Sequence, residues 1–576
     1  MMKKTLAVLL ALCMVLALFA GCAANTGSAT DTGSSQTSTQ TETQTAVQEG
    51  APIVALESES NVEKTATTEQ VDFIAYGLDF SSADWSPFGP SGSRDQYIAM
   101  FYPKLVYLPY FGCPIEEAEM WLAKSVNKVD DYTYEVELYD YIYTNQGHHI
   151  TADDVKWSYE KCMTEGARVE VTAVLDEIEV VDDYHMIFRL KDATPDCASI
   201  VLGFSGLSIV DREWYESCTG EELTTNAASA AAYYLKECVP GSYILLEAND
   251  KYWKTDESLK CTAEKQNVKT IYLPVYAEPA VRAAAIESGE VDGASIAGSS
   301  NSLFVTNGKV RDGFRATAIG GYSIVELFFN MDQVGKYSFF CDNLKARQAV
   351  MYAIDREAMA LADGLDANTM FLDFDTCSPN MKGYNKEWEN TYPSYNPEKA
   401  KQLLEESGCM GKTIKLVYST RRSATMLAVV KENLEAIGFK VDLVGYESAL
   451  FQTYRFDTDE WDILMDLKSG SSYMDTQSIL LNTKSYDDCT VNFVRDDTLN
   501  ELFRKAYYSA SQEDINALHD YVADNAYMLG TYSYALYTIF QDGIVEGLWA
   551  GTGYPMINAW TFAEDYESHA IRPAGY

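Results

Sequence analysis

Few residues of this 576-residue chain stand at spacings that would support catalysis. His148 and His149 are adjacent, and no third ligand follows at a spacing diagnostic of zinc, in a sequence with five histidines overall. Gly203-Phe204-Ser205-Gly206-Leu207 approximates a nucleophile elbow, but Leu207 stands where the turn needs its second glycine. The 85 acidic side chains make any glycosidase-type carboxylate pair available, so they single out none. Twelve cysteines contain no CxxC pair, which removes zinc-finger and thioredoxin chemistry. Ten of them, from Cys113 to Cys489, are scattered through the body of the chain and are expected to be buried thiols. No catalytic residue, no metal and no cofactor is therefore assigned. A surface hydrolase is the weakest of the readings retained.

One cysteine stands apart. Lys3 and Lys4 lead an apolar run from Leu6 to Ala20 that ends in Ala20-Gly21-Cys22, the layout of a secretion signal over residues 1–22. Ala20-Gly21-Cys22 resembles a bacterial lipobox, with Phe19 where such boxes most often carry Leu. The resemblance implies that Cys22 becomes a lipid-modified first residue, and two acyl chains would hold the protein stably to a bilayer. From 23 to 70 the chain is mostly Ser, Thr, Gln, Gly, Ala and Glu with no aromatic side chain, so it cannot bury enough surface to fold and reads as a tether. The net charge of −41 argues against nucleic acid, whose binding depends on basic side chains neutralising phosphates. About 500 residues remain beyond the tether, too many for one core, so two or three domains are expected.

The elements that would position a site are clearest between Tyr132 and Tyr159. Tyr134, Val136 and Leu138 alternate with Glu135 and Glu137, the pattern of a strand buried on one face. Gly147 supplies a turn. Thr151 and Asp154 have capping-box spacing, with the Thr hydroxyl expected to accept a backbone N–H and the carboxylate to reach back, and a helix follows through Val155, Ser158 and Tyr159. Leu175 to Leu190 reads as a hairpin turning at Asp182-Asp183. Gly289 is placed where a helix end needs a left-handed residue. Asp342 or Asn343 caps a helix whose apolar face is Ala346, Ala349, Val350, Ala353 and Ile354. Asn396-Pro397-Glu398 starts another helix, which Gly408 stops. Arg347 and Arg356 are expected to be structural ion-pair partners.

Read together, these blocks resemble the extracellular solute-binding proteins of family 5, the oligopeptide- and dipeptide-binding class of ABC importers. The string Gly147-His148-His149-Ile150-Thr151-Ala152-Asp153-Asp154-Val155 is similar to the family signature. Asp84-Trp85-Ser86-Pro87-Phe88, Pro240-Gly241-Ser242-Tyr243, Asn249 to Trp253, Glu287 to Asp292, Phe328-Phe329-Asn330, Leu344 to Arg356 and Asn396 to Gly408 are similar to further blocks in the family order. The resemblance implies a mixed α/β, bilobal fold of the type II periplasmic-binding-protein kind with an extra inserted domain. It places lobe I at 71–95, 212–325 and 530–576, the inserted domain at 96–211 and lobe II at 326–529.

The implied function is capture of a small extracellular solute, a short peptide first, by hinge closure between the lobes and its delivery to an ABC permease. A monomer, lipid-anchored at the extracellular face of the bacterial cell membrane, is expected. A non-peptide solute and a signalling receptor are the alternatives. Candidate ligand-binding residues by position are Trp85, Tyr97 and Phe101 in the first blocks, Tyr322 and Ser323 before the strand Ile324 to Asn330, and Trp461, Ser471, Ser472, Tyr473 and Asp475 downstream. In relatives a carboxylate after the strand that resembles Trp461 to Asp466 fixes a ligand amine, and here that Asp-Tyr step falls on Ser471 or Ser472 with Tyr473. Either Asp475 or Asp466 takes its role, or the ligand has no free α-amine.

Overall fold

Val71–Gly77 is a strand whose residues from Phe73 onward are all buried, the unbroken apolar run of a strand covered on both faces. It pairs in parallel with Val268–Pro274 on one side and with Gly293–Ile296 on the other. The hairpin Tyr233–Val239 and Tyr243–Ala248 extends the sheet through antiparallel pairing with Val268–Pro274, turning at Gly241, whose φ is +73°. Asp292 ties the sheet to the chain terminus, accepting from the Ala75 N–H at 2.7 Å and from the Ser568 hydroxyl at 2.7 Å.

These strands belong to the first of two units of a computed structural model, made of Val54–Ile319 and Ala535–Tyr576; the second is Gly320–Tyr534. The structure describes residues 54–57 and 64–573 apart from short internal segments, the longest being 478–493. The expected signal, Cys22 and residues 23–53 of the tether lie outside the described residues, as do 204–206, Ser471, Ser472 and Asp475. The chain passes between the units twice, inside the strands Phe314–Phe329 and Met528–Gln541.

Within the first unit a separate antiparallel sheet runs in the order Ala123–Asp130, Thr133–Leu138, His185–Leu190, Leu175–Asp182. Tyr134, Val136 and Leu138 are buried, as their alternation requires. Asp182 closes the hairpin by accepting from the N–H groups of Tyr184 and His185 at 2.9 and 3.0 Å. Gly147 turns with φ +90°, and the helix Ala152–Thr164 follows. Its cap differs from expectation in one bond. The Thr151 N–H donates to Asp154 Oδ2 at 2.9 Å, but the Thr151 hydroxyl donates to the same oxygen at 3.0 Å, so the short Asp side chain draws both donors to itself.

The second unit has the strand order Lys440–Tyr446, Thr413–Ser419, Ile463–Ser469, and then residues 323–329 of Phe314–Phe329. Met370–Leu372 pairs with residues 532–534. Helices flank these strands, and their ends follow local chemistry. Asn343 accepts from the Ala346 N–H at 3.1 Å to start Leu344–Ala353, and Asn396 accepts from the Lys399 N–H at 3.0 Å to start Pro397–Ser407. Gly408 and Gly438 end helices with φ +71° and +119°.

Arg347 and Arg356 are structural, but not through carboxylates. Arg347 donates to the carbonyls of Asn525, Ala526, Phe340 and Cys341, and Arg356 to those of Asp373 and Pro393 while lying over the rings of Phe374 and Tyr392. Arg347 lies within Leu344–Ala353 and Arg356 opens Arg356–Ala362, and the five N–H donors of a guanidinium can be taken up by backbone carbonyls. Six of the expected thiols, Cys218, Cys238, Cys261, Cys341, Cys377 and Cys409, are free of disulfides.

Candidate functional site

In the second unit the strand Ile463–Ser469 runs antiparallel to residues 323–329, with Ser323 opposite Ser469 and Phe329 opposite Ile463. This register joins two of the candidate stretches. Tyr322 and Ser323 lie in the strand at the end where Ser469 leads into the segment that carries Tyr473. Trp461 lies beyond the other end, roughly 20 Å away for a strand of this length. It is buried, and its carbonyl accepts from Asn330 Nδ2 at 2.8 Å, a bond that holds the sheet together.

Alternation along these strands puts Asp466 and Lys468 on one face, directly and diagonally across from Glu326. All three are buried. Asp466 pairs with Arg455 at 2.5 Å and with Lys468 at 3.4 Å, and its other oxygen accepts from the Leu467 N–H at 2.8 Å. Neither oxygen of Glu326 has a hydrogen-bond partner among the described residues. Burial pushes the Glu326 carboxyl well above the usual range; Lys468 opposes that rise, and Asp466, Asp373 and Asp375 add to it. Burial and then Arg455 bring the Lys468 ammonium down to about 8, against the pull of Asp466 and Glu326. Burial acts to raise Asp466 as well, but Arg455 and Lys468 hold its carboxyl below the ordinary value. The Asp466 carboxylate is thus already committed to two cations.

The chain beyond Ser469 docks on a second buried polar stretch, Asp373 to Ser378. The Tyr473 N–H donates to the Lys382 carbonyl at 2.9 Å. The Thr476 hydroxyl lies 2.8 Å from the Thr376 carbonyl, and Gln477 Nε2 donates to Thr376 Oγ1 at 2.8 Å. Asp373 Oδ1 accepts from the Ser533 hydroxyl at 2.8 Å. Asp375 holds φ +55°, a left-handed conformation that costs a non-glycine residue energy, and a Cβ at Gly530 would meet its carbonyl oxygen at 1.6 Å. A glycine in the neighbouring strand therefore makes room for the bend. The Tyr473 ring is fully buried, 5.5 Å from Trp388 and 5.9 Å from His519, and His519 stacks on Trp388 at 3.8 Å.

Trp85, Tyr97 and Phe101 belong to the first unit, where all three are buried in one apolar cluster and the rings of Trp85 and Phe101 lie 6.4 Å apart. His148 Nδ1 pairs with Asp211, and His149 stacks on Tyr143 at 4.8 Å. Among the described residues no group of three or more His, Cys, Asp or Glu side chains is arranged to hold a metal ion.

Glu326, Lys468, Arg455 and Asp373 escaped the sequence reading. The signal was present for two of them: Glu326 interrupts the apolar run Ile324-Val325-Glu326-Leu327-Phe328-Phe329, and Lys468 follows Asp466 by two in another. A lone charge inside a strand otherwise fit for a core marks a buried polar contact.

The native state holds a proton on Glu326 above the pH at which the unfolded chain releases it, near 4.3, so this group favours folding below that pH and the advantage is lost as pH rises through the folded value. Glu326→Gln removes the dependence. Urea unfolding at a series of pH values should show the variant gaining on the wild type as pH rises above ~4.3, by at most about 1.4 kcal/mol per unit. Parallel curves would count against a buried, protonatable Glu326.

A family profile described as the middle region of bacterial extracellular solute-binding proteins, family 5, matches residues 117–488. Among curated proteins, the oligopeptide-binding protein AppA of Bacillus subtilis is 25% identical over 377 residues, 59% of this chain and 63% of the relative. The dipeptide-binding protein of Escherichia coli is 24% identical over 311 residues, 51% of this chain and 52% of the relative. The chain thus spans between about half and two thirds of the length of these relatives. Among solved structures, the substrate-binding protein CtaP of Listeria monocytogenes superposes with a TM-score of 0.68 at 17% identity, covering 86% of this chain and 100% of that one. AppA of Bacillus subtilis in complex with a nonapeptide superposes at 0.65 and 18% identity over 86% and 100% of the two chains. The likeness to solved structures carries the fold, mixed α/β of the type II binding-protein kind, and the profile match over more than half the residues carries the family: this chain belongs to the family 5 bacterial extracellular solute-binding proteins.

Proposed function

We propose that the chain is the solute-binding component of an ABC importer and that it captures a short peptide and delivers it to the importer's permease. The family match over 117–488 carries this reading, and the printed names of the curated relatives, oligopeptide-binding and dipeptide-binding, point it toward peptides. The role asks no catalysis of the protein. A peptide backbone can be read by strand-like hydrogen bonds, while wet pockets accept varied side chains. Ser323, Ser471, Ser472 and Asp475 are the contacts we assign to the ligand in the second unit, and Tyr473, whose ring is fully buried, would have to leave its position to join them. Thr376 and the Asp466–Arg455 pair act as their scaffold. Asp466, already shared by Arg455 and Lys468, is poorly suited to receive a ligand amine, which leaves Asp475 or a ligand without that group. Trp85, Tyr97 and Phe101 are retained as first-unit candidates that would have to leave their buried positions to touch a ligand.

We also keep the division into lobe I, an inserted domain over 96–211 and lobe II, the monomeric state, and anchoring to the outer face of the cell membrane through a lipid on Cys22. A non-peptide solute is the second reading. It is favoured by structural neighbours solved with mannopinic acid and with Fe(III)-EDTA, and by serines where the amine-binding acid of relatives would fall.

Two experiments test these statements. Cys22→Ser should release the protein from membrane fractions into the soluble fraction; retention on the membrane would reject lipid anchoring. A thermal-shift screen of di- to hexapeptides, opine-type acids and metal chelates should find a peptide that raises the melting temperature by about 2 °C or more at a hundredfold excess over its dissociation constant. Stabilisation by another class, with every peptide silent, would overturn the peptide assignment.

A further inference from the structure

Tyr473, on the segment that leaves Ile463–Ser469, is clamped between two parts of the second unit. Its N–H donates to the Lys382 carbonyl at 2.9 Å, and a Cβ at the neighbouring Gly383 would meet the Tyr473 Cβ at 3.4 Å and Ile515 Cδ1 at 3.5 Å. Ile515 belongs to the helix Gln512–Asn525, where Gln512, Ile515, Asn516 and His519 have the i, i+3, i+4, i+7 spacing of a single face. That face covers residues 383–388. Gln512 Nε2 donates to the Gly383 carbonyl at 2.9 Å, and Asn516 Oδ1 accepts from Asn385 Nδ2 at 3.1 Å. His519 lies on Trp388 with ring centroids 3.8 Å apart and planes 6° from parallel, and the rings of Tyr473 and Tyr392 each lie 5.9 Å from it. His519 is therefore where the helix, the short helix Trp388–Thr391 and the Tyr473 segment meet.

Among these rings only the imidazole gains a charge near neutral pH, its ordinary value being about 6.5. It is 1% exposed, and its Nε2 has no hydrogen-bond partner among the described residues. A proton added there puts a cation, and a donor without an acceptor, out of water. The surrounding groups pull in both directions. On its own helix Asp520 Oδ1 lies 3.4 Å from Nδ1 and favours the cation, as does Asp524, but the Asp520 side chain is 66% exposed and its field is screened. Arg356 lies over the Tyr392 ring at 5.3 Å and disfavours a second cation. Asp375 is fully buried, with Oδ1 accepting from the Tyr392 hydroxyl at 3.4 Å, and burial pushes its carboxyl well above the usual range, toward the neutral form. Burial also raises the hydroxyls of Tyr473, Tyr392 and Tyr384, and the side chains of Lys382, Lys386 and Glu389 are exposed. Burial is the largest influence on His519 and holds its ring below the ordinary value. The clamped state thus takes the proton less readily than an open one. The stability this group gives the clamp is fully present above about pH 6.5 and is lost as pH falls toward the clamped value.

We infer that His519 is an acid-operated latch: a proton on its ring favours a state in which the helix Gln512–Asn525 has lifted from Trp388 and freed the segment that carries Tyr473. The consequence, a weaker hold on solute in mildly acid medium, rests on the solute contacts proposed above. The latch itself is a property of the chain without solute.

The test is amide hydrogen exchange on the full chain without solute, at about pH 7.5 and about pH 5.5, each corrected for intrinsic exchange rates. At the lower pH wild type should lose protection at Tyr473 and across Gln512–Asn525 relative to His519→Phe, by up to about tenfold, the limit for one proton one unit below 6.5. The Phe variant keeps a ring for Trp388 and keeps Asp375, whose own titration has the opposite sign, so the difference between the two proteins isolates the histidine. His519→Gln, which also takes no proton, gives the same comparison should Phe disturb folding. Thr413–Ser419 should stay equally protected at both pH values. The same pH dependence in wild type and in the variants would overturn the latch. Loss of protection at Thr413–Ser419 in step with Tyr473 would overturn it too, because the whole unit would then be unfolding in acid.

Discussion

Three buried ionisable side chains stand on one face of two paired strands in the second unit. Taking Glu326, Asp466 and Lys468 out of water costs more than their mutual attraction returns unless each finds close partners. Arg455 supplies that partner for Asp466 at 2.5 Å, and Lys468 shares it at 3.4 Å. Glu326 has no hydrogen-bond partner among the described residues, and burial pushes its carboxyl well above the usual range. Breaking such a group by removing one member would leave an uncompensated buried charge, a loss of about 3–5 kcal/mol. The register of residues 323–329 against Ile463–Ser469 sets Phe328 against Leu464 and puts Glu326 diagonally across from Lys468, the cation that opposes the rise of its carboxyl. A slip of one residue would turn all of these to the opposite face.

That fixed register has a consequence for ligand capture. It sets where Ser323 and Ser469 lie together, and from Ser469 the chain leads directly into the stretch held by Thr376 and Lys382. Residues proposed to bind a solute on a segment of this kind are useful only if the scaffold beneath them keeps its geometry, and here the scaffold is polar and buried. Asp375 adds a strained backbone conformation, kept in place because Gly530 leaves room for its carbonyl. The first unit has a comparable device in Lys254, fully buried, which donates to Glu264 at 2.8 Å and to the Trp121 carbonyl at 2.7 Å.

Much of the scaffold could be read from local chemistry alone. Asn343 and Asn396 at helix starts, Gly408 and Gly289 at helix ends, and the Asp182 turn are places where a few neighbouring residues decide the backbone. Tyr134, Val136 and Leu138 disclosed their strand because one face of it is buried and the other wet. The arginines were misread for the opposite reason. Nothing near Arg347 or Arg356 in sequence says that the groups facing them are carbonyls from residues far along the chain, such as Asn525 and Asp373. The candidate site was legible only as a region. The residues proposed to face a ligand follow a strand by a few positions, but the buried charges on that strand come together through sheet pairing and from a helix end at Arg455, which no local pattern encodes.

The central claim is that a solute is held in the second unit by the segment that leaves Ile463–Ser469, on a scaffold tied together by buried charge. Amide hydrogen exchange, followed with and without the peptide found to stabilise the protein, tests it directly. Binding should slow exchange across residues 322–326 and 468–477, including the Tyr473 N–H bonded to Lys382, more than in the sheet core at Thr413–Ser419. Peptide binding that leaves exchange in those two stretches unchanged would contradict the account.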